Sequence, residues 1–86
     1  MRIVALYRPD SEHARRVEEY ARDYARTRGT SIELVSLETV QGASMAGLYD
    51  IVSYPAVLVL RDDAQLVQSW QRESLPLMGE VDAFYH

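Results

Sequence analysis

Apolar residues in this chain fall into short unbroken runs and one long, regularly spaced stripe, and the two patterns predict different elements. The run at residues 3–7 is typical of a strand buried on both faces. Residues 11–27 carry apolar side chains three and four positions apart, which predicts an amphipathic helix: Ala14, Val17, Ala21 and Tyr24. Gly29 ends that helix, and residues 31–37 read as a second strand. The first part of the chain therefore predicts a right-handed βαβ unit with parallel strands.

The second half of the chain repeats the two patterns in shorter segments. Residues 42–49 have roughly helical spacing around an internal glycine, and residues 55–60 form a continuous apolar strand. A turn at residues 61–64 leads into an alternating strand at residues 65–70. Ser74 is then predicted to cap a last helix at residues 75–85, with Pro76 at a tolerated early position. The predicted order is β-α-β-α-β-β-α within one domain, residues 1–86.

Composition limits the classes of partner. The 86 residues are 48% hydrophobic, which suits one small domain, and the net charge of −4 argues against nucleic acid or an anionic membrane. The longest apolar run, residues 55–60, is too short to cross a bilayer, and no secretory signal is visible at the start. The expectation is a cytoplasmic protein, monomeric by default, unless the segment comes from a longer chain. No cofactor is expected, and His13 has no partner at metal-ligand spacing.

The order of elements, with Tyr54-Pro55 directly before the third strand, resembles the thioredoxin-like superfamily in its glutaredoxin-sized form. The resemblance covers essentially the whole chain and rests on four segments in order: residues 4–9, 48–55, 56–60 and 65–70. It implies an α/β thioredoxin-like fold with a four-stranded mixed sheet. It also implies that Pro55 follows a cis peptide bond and lies beside the first helix.

The family's reactive site is missing from this sequence. In thioredoxin-like enzymes a cysteine, or a Cys-x-x-Cys pair, lies between strand one and helix one, where the helix N-terminus lowers the thiol pKa. The resemblance places these cysteines at Ser11 and Ala14, with His13 between them, and the chain has no cysteine at all. A serine hydroxyl has no disulfide chemistry. Thioredoxin-type exchange and glutaredoxin-type deglutathionylation are therefore excluded for the sequence as written.

Each residue of the vestigial site has more than one interpretation. Ser11, or Asp10, is expected to cap the first helix; alternatively the Ser11 hydroxyl faces a ligand, as in glutathione transferases that use serine here, or Ser11 replaces an original cysteine by engineering. His13 is expected to be an exposed first-turn side chain. The Tyr54 ring either packs half-buried on the first helix or decorates a groove, because in the family the backbone here pairs with bound peptide or glutathione.

These residues lead to three hypotheses about function. The first is a redox-inactive module that binds a protein or peptide through a groove formed by Ser11, His13, Ala14, Tyr54 and Pro55. The second is a small-molecule binder for a glutathione-like ligand, or a cysteine-to-serine form of a thiol-disulfide oxidoreductase. A hydrolase built on Ser11 and His13 has the least support, because residues two apart on a helix face different directions.

Overall fold

The computed structural model describes residues 1–72 and 74–85. Within them, the elements follow the predicted order, which is thereby confirmed: β1 (Arg2–Tyr7), α1 (Ala14–Arg28), β2 (Ile32–Ser36), α2 (Val40–Leu48), β3 (Ala56–Leu60), β4 (Leu66–Gln71) and α3 (Met78–Asp82). None of these helices combines the length and apolar character that crossing a membrane would require.

The strands form one mixed four-stranded sheet in the order β2-β1-β3-β4. β1 runs parallel to β2, with Ile3 opposite Ile32, and antiparallel to β3, with Leu6 opposite Ala56. β4 pairs antiparallel with the other side of β3. The two central strands, β1 and β3, are therefore the apolar runs of the sequence, and the edges are β2 and β4.

The core has two parts, one on each face of the sheet, because successive side chains of a strand point to opposite faces. On one face α1 and α3 cover the sheet; the α1-side cluster is Ile3, Ala5, Tyr7, Ala14, Val17, Ala21, Tyr24, Ile32, Val57, Val59, Trp70 and Val81. On the other face α2 covers it; the α2-side cluster is Val4, Leu6, Val35, Ile51, Ala56, Leu58 and Leu60. β1 and β3 supply side chains to both clusters.

Helix α1 buries the predicted stripe but begins later than predicted. Residues 8–13 form turns instead, in which the Ser11 amide donates to the Arg8 carbonyl and the Ala14 amide to the Ser11 carbonyl. His13 is the N-cap residue, and its side chain makes no capping bond. The prediction that Ser11 or Asp10 caps the helix is therefore wrong. The prediction for the C-terminus is confirmed, because Gly29 has φ 72° and its amide donates to Ala25.

Helix α2 begins two residues before the predicted start. The Thr39 hydroxyl accepts a hydrogen bond from the Gly42 amide at 3.0 Å and caps the helix there. Gly42 is buried against the end of β2, and a Cβ atom at this position would overlap the Ser36 carbonyl oxygen. The absence of a side chain at Gly42, the first residue of the predicted helix, is thus what lets α2 approach the sheet.

Two predictions in the last third of the chain are wrong. The strict alternation predicted for β4 is interrupted by a bulge: Val59 pairs with Gln68 but Leu60 pairs with Leu66, which leaves Val67 as an extra residue. Val67 therefore packs on the same cluster as Trp70. Helix α3 starts at Met78 instead of residue 75, and Ser74 does not cap it. The Glu80 carboxylate accepts from the Leu77 amide at 2.9 Å, which sets the start of the helix at that residue.

Candidate functional site

The end of β1 and the start of β3 lie side by side at one end of the sheet. Leu6 pairs with Ala56, so Tyr7 and Pro55 are the next residues along their strands. β1 leads from here into the turns at residues 8–13, and β3 begins immediately after Pro55, which is almost completely buried. The Tyr54–Pro55 peptide bond is cis in the structure. The turn that follows β1 and the Tyr54-Pro55 segment that precedes β3 therefore lie at the same end of the sheet.

Ser11 and His13 both hydrogen-bond to the backbone of Arg8. The Ser11 hydroxyl donates to the Arg8 carbonyl at 2.6 Å, and Nε2 of His13 accepts from the Arg8 amide at 3.3 Å. Both side chains are half-buried. These two hydrogen bonds hold the turn between β1 and α1 together. Neither of them caps the first turn of α1, which has no side-chain cap among the described residues.

This geometry determines what the two side chains can do chemically. The single hydroxyl proton of Ser11 is directed at Arg8, so toward a ligand the oxygen is an acceptor. Nε2 of His13 is occupied as the acceptor of the Arg8 amide. A serine hydrolase needs the serine proton directed at a histidine nitrogen. Here the proton is directed at a backbone carbonyl.

An open groove of about 540 Å³ runs from this turn along one face of α1. Seven residues line it: Pro9, Ser11, Ala14, Arg15, Glu18, Glu19 and Arg22. After Pro9 and Ser11, the other five lie 3, 4, 7, 8 and 11 positions beyond Ser11, which is the spacing of one helix face. Of the predicted site residues, Ser11 and Ala14 line this α1 groove, whereas His13, Tyr54 and Pro55 lie outside its lining.

Sequence reasoning missed Tyr7 and Glu18. Tyr7 is buried, and its hydroxyl donates to Oε2 of Glu18 at 3.3 Å. Burial and then the Glu18 charge raise the pKa of Tyr7, so its hydroxyl stays a protonated donor beside the groove. Spacing alone could place Glu18 on the same helix face as Ser11, two turns further on, but not its contact with Tyr7 of β1.

The α1 groove contains two arginines and two glutamates, but among the described residues only one arginine and one glutamate of this set form a salt bridge with each other. Nε of Arg15 lies 3.2 Å from Oε1 of Glu19, an exposed pair four residues apart that contributes little stability. Glu18 accepts from Tyr7. Arg22, at the far end, forms no salt bridge with any residue in the described part of the chain. The groove therefore offers a guanidinium at one end and the Ser11 oxygen at the other.

Tyr54 is held by its own loop. Its hydroxyl donates to the Ile51 carbonyl at 2.9 Å, and its half-buried ring packs against the α2-side cluster. The predicted packing against the first helix is therefore wrong; the ring belongs to the other face of the sheet. Val52, two residues earlier, is 81% exposed. This loop presents an apolar side chain beside the predicted site.

The comparisons with known proteins identify the fold. No protein-family model matches the chain, and no curated protein matches it in sequence. A solved structure, thioredoxin 1 from the thermophilic eubacterium Thermosipho africanus TCF52B, superposes with a TM-score of 0.69. The superposition covers 98% of this chain and 89% of the thioredoxin chain at 14% sequence identity, which shows the fold alone. The protein therefore has a thioredoxin-like fold, with no cysteine in its sequence.

Proposed function

We propose that the protein is a redox-inactive thioredoxin-like module that binds an extended segment of a protein or peptide. The proposed binding surface is the α1 groove, which Ser11 and Ala14 line, together with His13 and the backbone of Tyr54 and Pro55 at the same end of the sheet. The observation that carries the proposal is the groove itself, which starts at Ser11 and is open along α1. The absence of any cysteine supports the redox-inactive part of the proposal.

The chemistry of the groove favours a polar, extended ligand over a compact apolar one. Its lining includes two arginines and two glutamates, and the Ser11 oxygen is available as an acceptor. An extended peptide offers amides and carbonyls along its length, which such a surface can satisfy at several points. Exposed Val52, on the loop before Pro55, adds an apolar contact at the same end of the sheet.

The position of Arg22 favours a second candidate, a small anionic ligand of the glutathione type. The Arg22 guanidinium, which has no salt bridge among the described residues, suits a carboxylate. Glu18 and Glu19 in the same groove oppose a ligand with several negative charges, so we rank this candidate second. In either case we propose that the protein works in the cytoplasm, for which the cysteine-free sequence is the support.

Selection from a random peptide library, followed by titration into the isotopically labelled protein, tests the first candidate. Amide shifts are expected at residues 8–22 and 52–55. Arg22→Ala and Ser11→Ala should each weaken binding, whereas Arg16→Ala should not, because Arg16 is an exposed arginine of α1 outside the groove lining. Shifts confined to α2, on the opposite face of the sheet, would contradict the proposal.

Calorimetry with glutathione tests the second candidate. A saturable heat of binding that disappears in Arg22→Ala and persists in Arg16→Ala would favour the small-molecule function. A flat isotherm at millimolar ligand would remove it and would leave the peptide proposal to the selection experiment.

A further inference from the structure

The outer edge of β4 carries no charged residue or proline, and its bulge lies at Val67, which leaves residues 68–71 in regular register with β3. Natural edge strands are commonly blocked by charged side chains or proline, which prevent pairing with another chain. β2, the other edge, has Glu33 near its middle, and Arg2 holds that carboxylate with bonds of 2.8 and 2.9 Å. β4 has neither a charged residue nor a proline in its six residues, Leu66–Gln71. It is the edge of this sheet that is suited to accept another strand.

The register of the sheet shows which backbone groups of β4 face outward. The Tyr7 carbonyl accepts from the Leu37 amide, so the Tyr7 backbone faces β2. Since successive residues of a strand face opposite sides, Leu6 faces β3, and its partner Ala56 faces β1. Gln71, which pairs with Ala56 across the other side of β3, then has its amide and carbonyl directed away from the sheet.

Ser69 faces outward by the same rule, because it lies two residues before Gln71. Its hydrogen bonding agrees: the Ser69 amide donates to Oε1 of the neighbouring Gln68 side chain at 2.9 Å and not to β3. A side chain from the adjacent residue thus occupies the donor that a further strand would use. Such a bond can be exchanged for a backbone partner without disturbing the β3–β4 ladder.

We propose that β4 pairs antiparallel with β4 of a second copy of this chain, about a two-fold axis at Ser69. The Ser69 amide and carbonyl then bond those of Ser69 in the second copy, and the sheets of the two copies become continuous. This interface is the outer edge of β4 and shares no residue with the proposed peptide-binding surface.

The composition of β4 argues for a second copy as the partner. A two-fold interface places the same surface on both subunits, so it must be complementary to itself. Like charges directly opposite each other would destabilise such a pairing. With Ser69 at the axis, Gln68 of one copy lies opposite Trp70 of the other, and no charged residue of either strand faces another. The β4 sequence is therefore compatible with pairing against a second copy of itself.

The absence of cysteine from the chain allows a direct test by cross-linking. Ser69→Cys introduces a single thiol, and antiparallel pairing at the axis brings the two Cα atoms to about 5.5 Å, within the range of a disulfide. Mild oxidation should convert this variant rapidly to a covalent dimer. The matched control is Ser44→Cys, an exposed position on α2. Equal cross-linking of the two variants, or none at Ser69→Cys, would overturn the proposal.

Sedimentation equilibrium tests the same interface without a covalent bond. The unmodified chain should approach twice its 9.8 kDa mass as its concentration is raised. Ser69→Lys should remain at the monomer mass, because two ammonium groups would meet at the axis, while Ser44→Lys should still dimerise. A wild-type protein that stays monomeric at millimolar concentration, or a Ser69→Lys dimer, would refute the pairing. Should Ser69→Lys fail to give the native circular dichroism spectrum, the cross-linking result decides alone.

Discussion

At the scale of single residues, two tyrosines of α1 stand side by side in opposite hydrogen-bonding situations. The rings of Tyr20 and Tyr24 stack with centroids 6.3 Å apart. The Tyr24 hydroxyl donates to Oδ1 of Asp82 at 2.6 Å, whereas the buried Tyr20 hydroxyl has no partner within the described part of the chain. Burial raises the pKa of Tyr20 to about 12, so this hydroxyl stays neutral. The pair allows a hydrogen bond and an unsatisfied donor to be compared in one environment.

Replacing each tyrosine by phenylalanine should therefore have unequal effects. Tyr24→Phe removes the bond to Asp82 and is expected to lower the free energy of unfolding by about 1 kcal/mol. Tyr20→Phe removes a buried donor that has no partner among the described residues, and is expected to leave stability unchanged or raise it by up to about 1 kcal/mol. Urea unfolding of the two variants measures both. A larger loss for Tyr20→Phe than for Tyr24→Phe would contradict the assignment.

Asp82 should make stability depend on pH in the acid range. The Tyr24 hydroxyl first, and then Arg28 with its Nε 2.9 Å from Oδ2, lower the pKa of Asp82 below its ordinary value of 3.8. A lowered folded-state pKa means that this stabilisation is complete above 3.8 and is lost as the pH falls through the lower value. Asp82→Asn should flatten that part of the profile. Asp10→Asn, at an exposed carboxylate with no hydrogen bond or salt bridge within the described part of the chain, is the control and should leave the slope unchanged.

At the scale of elements, the contact of α2 with β2 depends on one glycine. A Cβ atom at Gly42 would overlap the Ser36 carbonyl oxygen and come within 3.0 Å of Cα of Leu37. Both neighbours are backbone atoms, so relief requires α2 to move away from the sheet. Gly47 lies in the same helix, and a Cβ atom there would meet nothing within 4 Å.

Alanine at the two glycines should thus change stability in opposite directions. Gly42→Ala is expected to cost about 1–3 kcal/mol, the range for overpacking a well-packed contact. Gly47→Ala is expected to stabilise by up to about 1 kcal/mol, because alanine is the better helix former. Thermal unfolding of both variants gives the comparison. Stabilisation by Gly42→Ala would show that α2 does not pack as closely as described.

At the scale of the whole molecule, the two clusters share their central strands. Val57 and Val59 of β3 belong to the α1-side cluster, whereas Ala56, Leu58 and Leu60 belong to the α2-side cluster. A substitution that destabilises one cluster is therefore expected to destabilise β3, which also contributes side chains to the other cluster. The two faces are expected to unfold together, as small domains usually do.

Leu58→Ala tests this coupling across the sheet. The substitution empties space in the α2-side cluster and is expected to cost about 2–5 kcal/mol. Trp70 reports on the opposite cluster, where its ring meets Phe84 edge-on at 5.8 Å. Its fluorescence midpoint in urea should fall together with the circular dichroism midpoint. A tryptophan transition that stays at the wild-type midpoint would show that the clusters unfold independently.

Sequence reasoning succeeded where a local pattern was sufficient, and its errors have local physical causes. The α1 stripe and its end at Gly29 follow from spacing and from the positive φ that glycine accepts. The predicted start of α1 was wrong because the Ser11 hydroxyl donates to the Arg8 carbonyl, which precedes it in the chain, and does not bond to the amides of the helix. The start of α3 was wrong because Glu80 reaches back to Leu77, a bond that serine preference alone does not reveal.

Some features of the candidate site could likewise be predicted from the sequence, whereas others depend on tertiary contacts. The sequence pointed to Ser11, Ala14 and Pro55 through the resemblance, and their place at one end of the sheet follows from the register of β1 and β3. The α1 groove and the bond from Tyr7 to Glu18 depend on how a strand end and a helix face come together. No spacing rule within one element predicts a contact between two.

The sequence by itself determined the order of the elements, the apolar central strands and the absence of any thiol, because each depends on residue identity and local periodicity. Only the tertiary structure decided which side of the sheet each side chain joins. It placed the Tyr54 ring with α2, directed the Ser11 proton to Arg8 and turned the Ser69 amide outward. The physical reason is that strand pairing, which joins residues distant in the chain, sets the direction of every backbone group and side chain in the sheet.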